Sequence, residues 1–134
     1  MIMVSACLAG VNCNYDAANR ENASVVKLVK EGRAIMVCPE QLGGLTTPRP
    51  PAEISMGRVF TKNGDNITEA FTRGANEVLK ICKKYNCHKA ILKANSPSCG
   101  CGKIYDGNFN GTLVDGDGIT AALLKKHGLE VSAV

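Results

Sequence analysis

Residues 89–102 are Lys89-Ala90-Ile91-Leu92-Lys93-Ala94-Asn95-Ser96-Pro97-Ser98-Cys99-Gly100-Cys101-Gly102. A run of strand length ends here in small, turn-forming residues and a cysteine, a pattern typical of a reactive group on a loop at the end of a β-strand. The pattern occurs twice more, where Met1–Ala6 meets Cys7 and where Ala34–Val37 meets Cys38. If the three strands are parallel neighbours, their cysteines lie together at the carboxyl edge of one sheet, where open α/β sheets bind ligands.

The segments around these cysteines predict an α/β domain. Asn22 or Ser24 is placed to cap a short helix that Gly32 would end, so the first 38 residues read as a strand, a helix and a second strand. Such a unit crosses over in the right-handed sense and makes its strands parallel. The sequence therefore predicts one domain over residues 1–134, with a mostly parallel sheet flanked by helices.

Further elements are predicted after Cys38. A long helix is expected from a Thr68 cap to about Tyr85, and a last helix over 119–127 after an Asp117 cap. A final strand is expected over 129–131. Four of the five prolines fall within residues 39–55, so that stretch is expected to be irregular and extended. Strands near 58–61, 103–105 and 112–114 follow, the last two as a hairpin over the site.

Composition excludes several classes of function. With 45% hydrophobic residues in 134, the chain has the balance of a globular protein, and its apolar runs are far shorter than the roughly 20 residues of a membrane span. No secretory signal is evident, so a cytoplasmic location is expected. The net charge is only +4, with Lys and Arg residues scattered singly along the chain, and aromatic residues make up 4%. Nucleic acid is therefore not favoured as the principal partner, and a small polar or anionic substrate remains possible. A homodimer is left open.

Seven cysteines are many for this length, and an odd number cannot all pair with one another. In a reducing compartment this enrichment favours metal or redox chemistry. Three thiolates at Cys7, Cys38 and Cys99 suit zinc, copper(I) or iron-sulfur iron and leave a coordination position for substrate. The alternative is three ordinary buried cysteines, since free cysteine is among the most buried residue types.

Of the other four cysteines, two are possible metal ligands and two are expected to lie outside the site. Cys13 and Cys101 are close enough in sequence to compete as ligands, since alternate side chains of an extended loop after Cys99 would face the same way. Cys82 belongs to the apolar stripe of the long helix and is expected in the core. Cys87 is expected to have no role in the site.

Polar residues near the cysteines are candidates for catalysis. Glu40 follows Cys38 across a proline and is predicted as a general base or as a group that orients water, the alternative being a solvated loop residue. Ser96 and Ser98 are predicted to hydrogen-bond a substrate, although they would equally suit caps of the turn.

Two further residues are candidates for substrate binding. Asp16 follows Tyr15 in the first cysteine loop, and Arg49 lies between two prolines, where it would face an anionic or carbonyl group. The alternative for Arg49 is a simple ion pair with Glu53.

Four motifs together resemble one known family. In chain order they are Ser5-Ala6-Cys7-Leu8-Ala9-Gly10 with Tyr15-Asp16, Val37-Cys38-Pro39-Glu40, Thr47-Pro48-Arg49-Pro50-Pro51-Ala52-Glu53 and Ser96-Pro97-Ser98-Cys99-Gly100. They resemble the thiouracil desulfidase (TudS) family, long catalogued only as a domain of unknown function. The resemblance covers essentially the whole chain.

The resemblance implies a Rossmann-like domain that holds a 4Fe-4S cluster on Cys7, Cys38 and Cys99, with one iron open to substrate. The implied reaction removes sulfur from a thiolated pyrimidine, turning 2-thiouracil and water into uracil and hydrogen sulfide with no net redox change. As a hypothesis, the open iron polarises the thiocarbonyl sulfur, Glu40 aligns the water, and Ser96 and Ser98 hold the ring or its developing charge.

Two other functions remain open at this point. One is a non-catalytic iron-sulfur or persulfide protein that carries sulfur or senses redox state. The other is a zinc hydrolase with three thiolates and a water. Metal analysis and an assay with 2-thiouracil would separate the three.

Overall fold

The computed structural model describes residues 1–134, and a parallel sheet forms its centre. The strands are β1 (Ile2–Ser5), β2 (Ala34–Val37), β3 (Ala52–Ser55), β4 (Arg58–Thr61), β5 (Lys89–Leu92), β6 (Lys103–Tyr105), β7 (Leu113–Asp115) and β8 (Glu130–Ala133). The α-helices are α1 (Ala23–Lys30), α2 (Pro39–Leu42), α3 (Thr68–Lys84) and α4 (Ile119–Lys126). A 3₁₀ turn, Ala6–Ala9, follows β1 directly.

The central sheet has the strand order β2-β1-β5-β8, and all its pairings are parallel. Ile2 at the start of β1 lies opposite Ala34 on one side and Lys89 on the other. Because the strands begin in register and are equally short, their carboxyl ends stop at one edge. This confirms the predicted α/β fold with parallel neighbours at β1, β2 and β5.

The sheet is covered on both faces. Successive β1 side chains point in opposite directions, so Met3 joins the core against α3 and α4, while Val4 joins the core against α1 and the 3₁₀ turn. Helix α3 contributes a fully buried stripe that includes Phe71 and Val78. Sheets buried on both faces favour continuous runs of apolar residues, which is what β1 and β5 have.

The prediction that residues 39–55 are irregular was wrong at both ends. Pro39 opens α2, with Cys38 as the residue before the helix, because proline lacks an amide hydrogen and its fixed φ suits the first helical position. Residues Ala52–Ser55 form β3, which pairs antiparallel with β4. Only the middle of the stretch, residues 43–51, has neither helix nor strand.

Two predicted helix caps were also wrong, and one was right. Asn22 caps α1, its side chain accepting from the amides of Ser24 and Val25 at 3.0 and 3.2 Å. Thr68 is instead the first residue of α3, and its hydroxyl donates to Asn66. Asp117 lies one residue before the Gly118 cap of α4, and its carboxylate accepts from the amide of Gly102 at 2.8 Å.

Two glycines let α2 lie directly on α3. A Cβ at Gly74 would stand 1.9 Å from the carbonyl oxygen of Pro39, and one at Gly43 would stand 2.0 Å from that of Ala70. No side chain fits at either distance, so the two backbones touch there. This contact fixes the orientation of α2 and therefore of Glu40, its second residue.

The remaining strands form two antiparallel hairpins, β3 with β4 and β6 with β7. The second confirms the hairpin predicted around residues 103–114. None of the four helices has the length and apolar character needed to cross a bilayer. The assignment of residues 1–134 to one domain stays a prediction.

Candidate functional site

A cavity of about 450 Å³ opens at the carboxyl edge of the central sheet. Its volume is in the range of small-molecule sites, roughly 300–1,000 Å³. Four of the seven cysteines line it: Cys7, Cys13, Cys38 and Cys99. The structure thus brings together the three cysteines predicted from the strand ends and adds a fourth from the first loop.

Each predicted cysteine is placed by the element that follows its strand. Cys7 lies in the 3₁₀ turn after β1, and Cys38 is the residue between β2 and α2. Cys99 ends a turn beyond β5 in which the amides of both Ser98 and Cys99 donate to Ser96 Oγ at 3.1 Å. Cys7 and Cys38 pack with the core on the α1 side of the sheet and Cys99 with the core on the α3 side, so the three thiols meet at the edge from both faces.

Hydrogen bonding among the thiols makes Cys7 the one that ionises most readily. The pKa of Cys7 is lowered, chiefly because the Cys13 thiol donates to its sulfur, against the opposing effects of burial and of the charges of Cys99 and Cys38. The pKa of Cys38 is raised by hydrogen bonding to Cys13 and by burial, and its thiol donates to the Cys13 carbonyl oxygen at 3.7 Å. Burial raises the pKa of Cys99 to about 11. These mutual effects accord with the placement of the four thiols around one cavity.

The remaining cysteines do not line the cavity. The Cys101 thiol donates to the carbonyl oxygen of Val131 in β8 at 3.4 Å, which turns it away from Cys99. The expectation that both would face one way assumed an extended loop, but the backbone turns here, with the Gly100 amide donating to Ser96 O at 2.8 Å. Cys82 is in the core, as predicted, and Cys87 is buried beside it.

The cysteine arrangement is of a kind that suits an iron-sulfur cluster. No three His, Cys, Asp or Glu side chains surround one point closely enough to hold one metal ion. A zinc ion needs its sulfur ligands at about 2.3 Å. In a 4Fe-4S cluster the cysteines bind different irons, so their sulfurs stand further apart. Soft thiols from Cys7, Cys38 and Cys99 around one cavity suit such a cluster.

Glu40 lies in the cavity wall with both carboxylate oxygens bound by protein groups. Arg49 Nε donates to Oε1 at 2.9 Å, and Ser98 Oγ donates to Oε2 at 3.0 Å. The Glu40 side chain is only 15% exposed, so it is not the solvated loop glutamate of the alternative interpretation. Each oxygen keeps a lone pair that can accept a proton from a water or substrate.

The two predicted serines form one hydrogen-bonded chain to Glu40. Ser98 is buried, and its single hydroxyl proton goes to Glu40, since the Cys99 sulfur is further away at 3.5 Å. Ser96 Oγ accepts two backbone amides, which leaves its own proton for Ser98 Oγ at 3.0 Å. The order of donation is therefore Ser96 to Ser98 to Glu40.

Arg49 and Asp16, the predicted substrate-binding residues, are in different places. The Arg49 side chain is 6% exposed, and its donors reach Thr46 O, Thr47 Oγ1 and Cys13 O as well as Glu40. It lines the cavity but mainly holds Glu40. Asp16 lies outside the cavity lining, pairs with Arg20 at 3.5 Å and caps the amide of Ala18.

Sequence reasoning missed three features of the site. Lys93 lines the cavity, and its charge contributes to the lowered pKa of Cys7; its place at the end of β5 was the available signal. Phe109 lines the cavity from the β6–β7 hairpin, and no local pattern indicated it. Glu53 was considered only as an alternative ion-pair partner of Arg49, but it accepts the amides of Gly107 and Phe109 instead.

We expect Arg49→Ala to destabilise the protein by about 3 kcal/mol, because breaking a buried ion pair leaves the other charge unpaired. Glu40 would keep only Ser98 as a partner. Urea unfolding under anaerobic, reducing conditions measures the difference.

Arg33→Ala is the matched control for Arg49. Arg33 pairs with Glu31 at 3.5 Å, but both side chains are exposed, at 64% and 42%. An exposed pair contributes about 0–1 kcal/mol, so this exchange should hardly move the unfolding midpoint. Equal losses in the two variants would contradict a buried clamp at Arg49.

Known proteins resemble this chain over nearly its whole length. A family model described as 2-thiouracil desulfurase matches residues 2–133. The uncharacterised protein YbbK of Bacillus subtilis (strain 168) is 45% identical over 141 residues, covering 98% of this chain and 93% of that protein. A solved structure of the 4Fe-4S-dependent thiouracil desulfidase TudS is 45% identical with a TM-score of 0.94, covering 98% of this chain and 89% of that one. These matches confirm the resemblance drawn from the four motifs, and the chain belongs to the 2-thiouracil desulfurase family.

Proposed function

We propose that this protein is an iron-sulfur-dependent desulfidase that converts 2-thiouracil and water to uracil and hydrogen sulfide. The observation that carries the proposal is the convergence of Cys7, Cys38, Cys99 and Glu40 on one cavity at the carboxyl edge of a parallel sheet. A soft ligand set and a carboxylate in the same cavity match the two needs of the reaction, sulfur capture and water activation. The solved relative at 45% identity is a 4Fe-4S-dependent thiouracil desulfidase.

Cys7, Cys38 and Cys99 would hold the 4Fe-4S cluster. When bound, the cluster supplies Lewis acidity toward the thiocarbonyl sulfur, since soft iron prefers a sulfur donor. The chain's part is to present three thiols from three fixed strand ends. Because β1 is hydrogen-bonded to β2 on one side and to β5 on the other, these positions cannot drift independently.

Glu40 is the residue proposed to activate water. Its free lone pairs accept a proton as the water oxygen bonds to the thiocarbonyl carbon, and the proton is then available to the departing sulfur. Overall the carbon–sulfur bond is exchanged for a carbon–oxygen bond, the two protons of water end on sulfur, and no electron donor or acceptor is needed.

Ser98, Ser96 and Arg49 keep Glu40 in position. Arg49 donates to one carboxylate oxygen and Ser98 to the other, and the two hydrogen bonds together fix the plane of the carboxylate. The hydroxyl of Ser98 donates to Glu40 Oε2 at 3.0 Å and lies 3.5 Å from Cys99 Sγ, so the base and the metal ligand are near neighbours. A base held this way does not have to reorganise during reaction.

The direct test is iron and acid-labile sulfide analysis of anaerobically purified protein, followed by measurement of sulfide and uracil from 2-thiouracil. We expect close to four irons and four sulfides in each chain, as a 4Fe-4S cluster requires, and equal amounts of the two products. Iron and sulfide without turnover on thiolated pyrimidines would support a sulfur carrier or redox sensor instead. Zinc without inorganic sulfide would support the hydrolase alternative.

A cytoplasmic location belongs to the same proposal. All seven cysteines are free thiols in the structure, and such a set persists in a reducing compartment.

A further inference from the structure

The cavity holds an unusual share of the chain's aromatic side chains. The sequence has three phenylalanines, three tyrosines and no tryptophan. Tyr15, Tyr105 and Phe109 all line the cavity, which is half of that set. Tyr105 ends β6 and Phe109 lies in the hairpin tip beyond it, so two of the three come from the hairpin rather than from the sheet edge.

The hairpin tip is tied to β3 by a single carboxylate oxygen. Oε1 of Glu53 accepts the amides of Gly107 at 3.0 Å and Phe109 at 3.1 Å. Glu53 also lines the cavity and is half-buried. Hydrogen bonds from backbone amides to a carboxylate are among the stronger ones in proteins, so this contact fixes the tip against β3.

Gly107 and Phe109 have backbones shaped for this contact. Gly107 has φ +93°, and a Cβ there would stand 2.7 Å from the carbonyl oxygen of Ile54, so the tip touches β3 directly. Phe109 has φ +55°, a conformation that bulky side chains rarely adopt. Strained residues of this kind are found at ligand clamps, where the surrounding contacts hold them.

We propose that the hairpin tip, residues 106–111, is the wall that recognises the pyrimidine ring, with Phe109 stacking on the ring. Glu53 is a positioning residue that keeps Phe109 there through the amides of Gly107 and Phe109. The inference rests on the proposed function, since it assigns the part of the cavity that binds the base of that substrate. A planar ring needs a flat apolar surface, and stacking on an aromatic side chain provides one for any base.

Loss of the Phe109 ring should act on substrate binding. Stacking is retained from the bound substrate to the transition state, so its removal raises KM and leaves kcat nearly unchanged. We expect Phe109→Ala to raise KM for 2-thiouracil about tenfold, the lower part of the range seen when a stacking aromatic is truncated. Cluster content should equal that of the wild type, because Phe109 lies in the β6–β7 hairpin and is not one of the cysteine ligands.

Phe109→Trp provides a second, independent readout. The chain has no tryptophan, so this variant carries the only indole and reports its own surroundings. With cluster-loaded protein, uracil should quench the emission in a saturable way, with a midpoint equal to its inhibition constant for the same variant. Tyr85→Trp is the control, since Tyr85 is 51% exposed at the end of α3 and should not respond to uracil.

Two exchanges test the positioning role of Glu53. Glu53→Ala removes the acceptor for both amides, so KM should rise and the uracil response of Phe109→Trp should weaken in the double variant. Glu53→Gln keeps a carbonyl oxygen that can accept both amides, so KM should stay within about threefold of the wild type. A merely structural role for Glu53 would lower the unfolding midpoint without moving KM or the indole signal.

Either of two results would overturn the proposal: an unchanged KM in Phe109→Ala, or a Phe109→Trp protein whose emission ignores uracil. Failure of the proposed function looks different, since wild-type protein with a full cluster would then release no sulfide from 2-thiouracil. If the wild type turns over 2-thiouracil but the Phe109 variants show neither a changed KM nor a response to uracil, the role of the hairpin tip is rejected and the proposed function stands.

Discussion

Cys99→Ser is expected to abolish the cluster and to lower sulfide release from 2-thiouracil at least about 100-fold. Even the exchange of a residue that only hydrogen-bonds to a metal ligand typically lowers metal affinity or activity about 10–100-fold. A serine hydroxyl is a hard donor that does not replace a thiolate on soft iron. The visible absorbance and the acid-labile sulfide of anaerobically reconstituted protein measure the cluster, and product formation measures the reaction. Cys7→Ser and Cys38→Ser should behave in the same way.

Cys101→Ser is the matched control for Cys99. The same atoms are exchanged two residues along the chain, where the thiol faces Val131 rather than the cavity. It should keep the cluster and the activity, as should Cys82→Ser in the core of α3. A cluster that survives in Cys99→Ser but is lost in Cys101→Ser or Cys82→Ser would show that the ligand assignment is wrong.

Glu40→Gln is expected to lower kcat/KM for 2-thiouracil by about 10²-fold or more, the contribution typical of a general base. The amide keeps the size of the side chain and can still accept from one of its two donors, Arg49 or Ser98, but it cannot take a proton from water. Iron and sulfide content should be unchanged, because Glu40 is not among the cysteine ligands.

Glu77→Gln serves as the control for this exchange. Glu77 is on α3, away from the cavity lining, and pairs with Lys80 at 3.0 Å on the surface. It should leave kcat/KM unaltered. Full activity in Glu40→Gln with an intact cluster would remove Glu40 from the chemistry and leave water activation to another group.

Much of the fold follows from local sequence. The strand-helix-strand order of the first 38 residues predicts parallel pairing of β1 with β2, because a helical crossover returns the chain to the edge from which the first strand started. Short apolar runs that end in cysteine then bring Cys7, Cys38 and Cys99 to one edge. The prediction of an irregular segment after Cys38 was wrong because proline has two structural roles. It breaks a helix from the interior, but it is favoured at the first helical position, which is where Pro39 lies.

The sequence by itself determined which edge of the sheet carries the site, since each of the three cysteines directly follows the carboxyl end of a strand-forming run. It did not determine which neighbouring thiol joins the cavity, because that depends on the turn that sends Cys101 toward β8 while Cys13 approaches Cys7. Nor did it determine the partners of Glu40 and Glu53, which lie 58 and 54 residues away at Ser98 and Gly107. Such pairs depend on how distant elements pack, as where Gly43 and Gly74 let α2 rest on α3, and only the tertiary structure decides that.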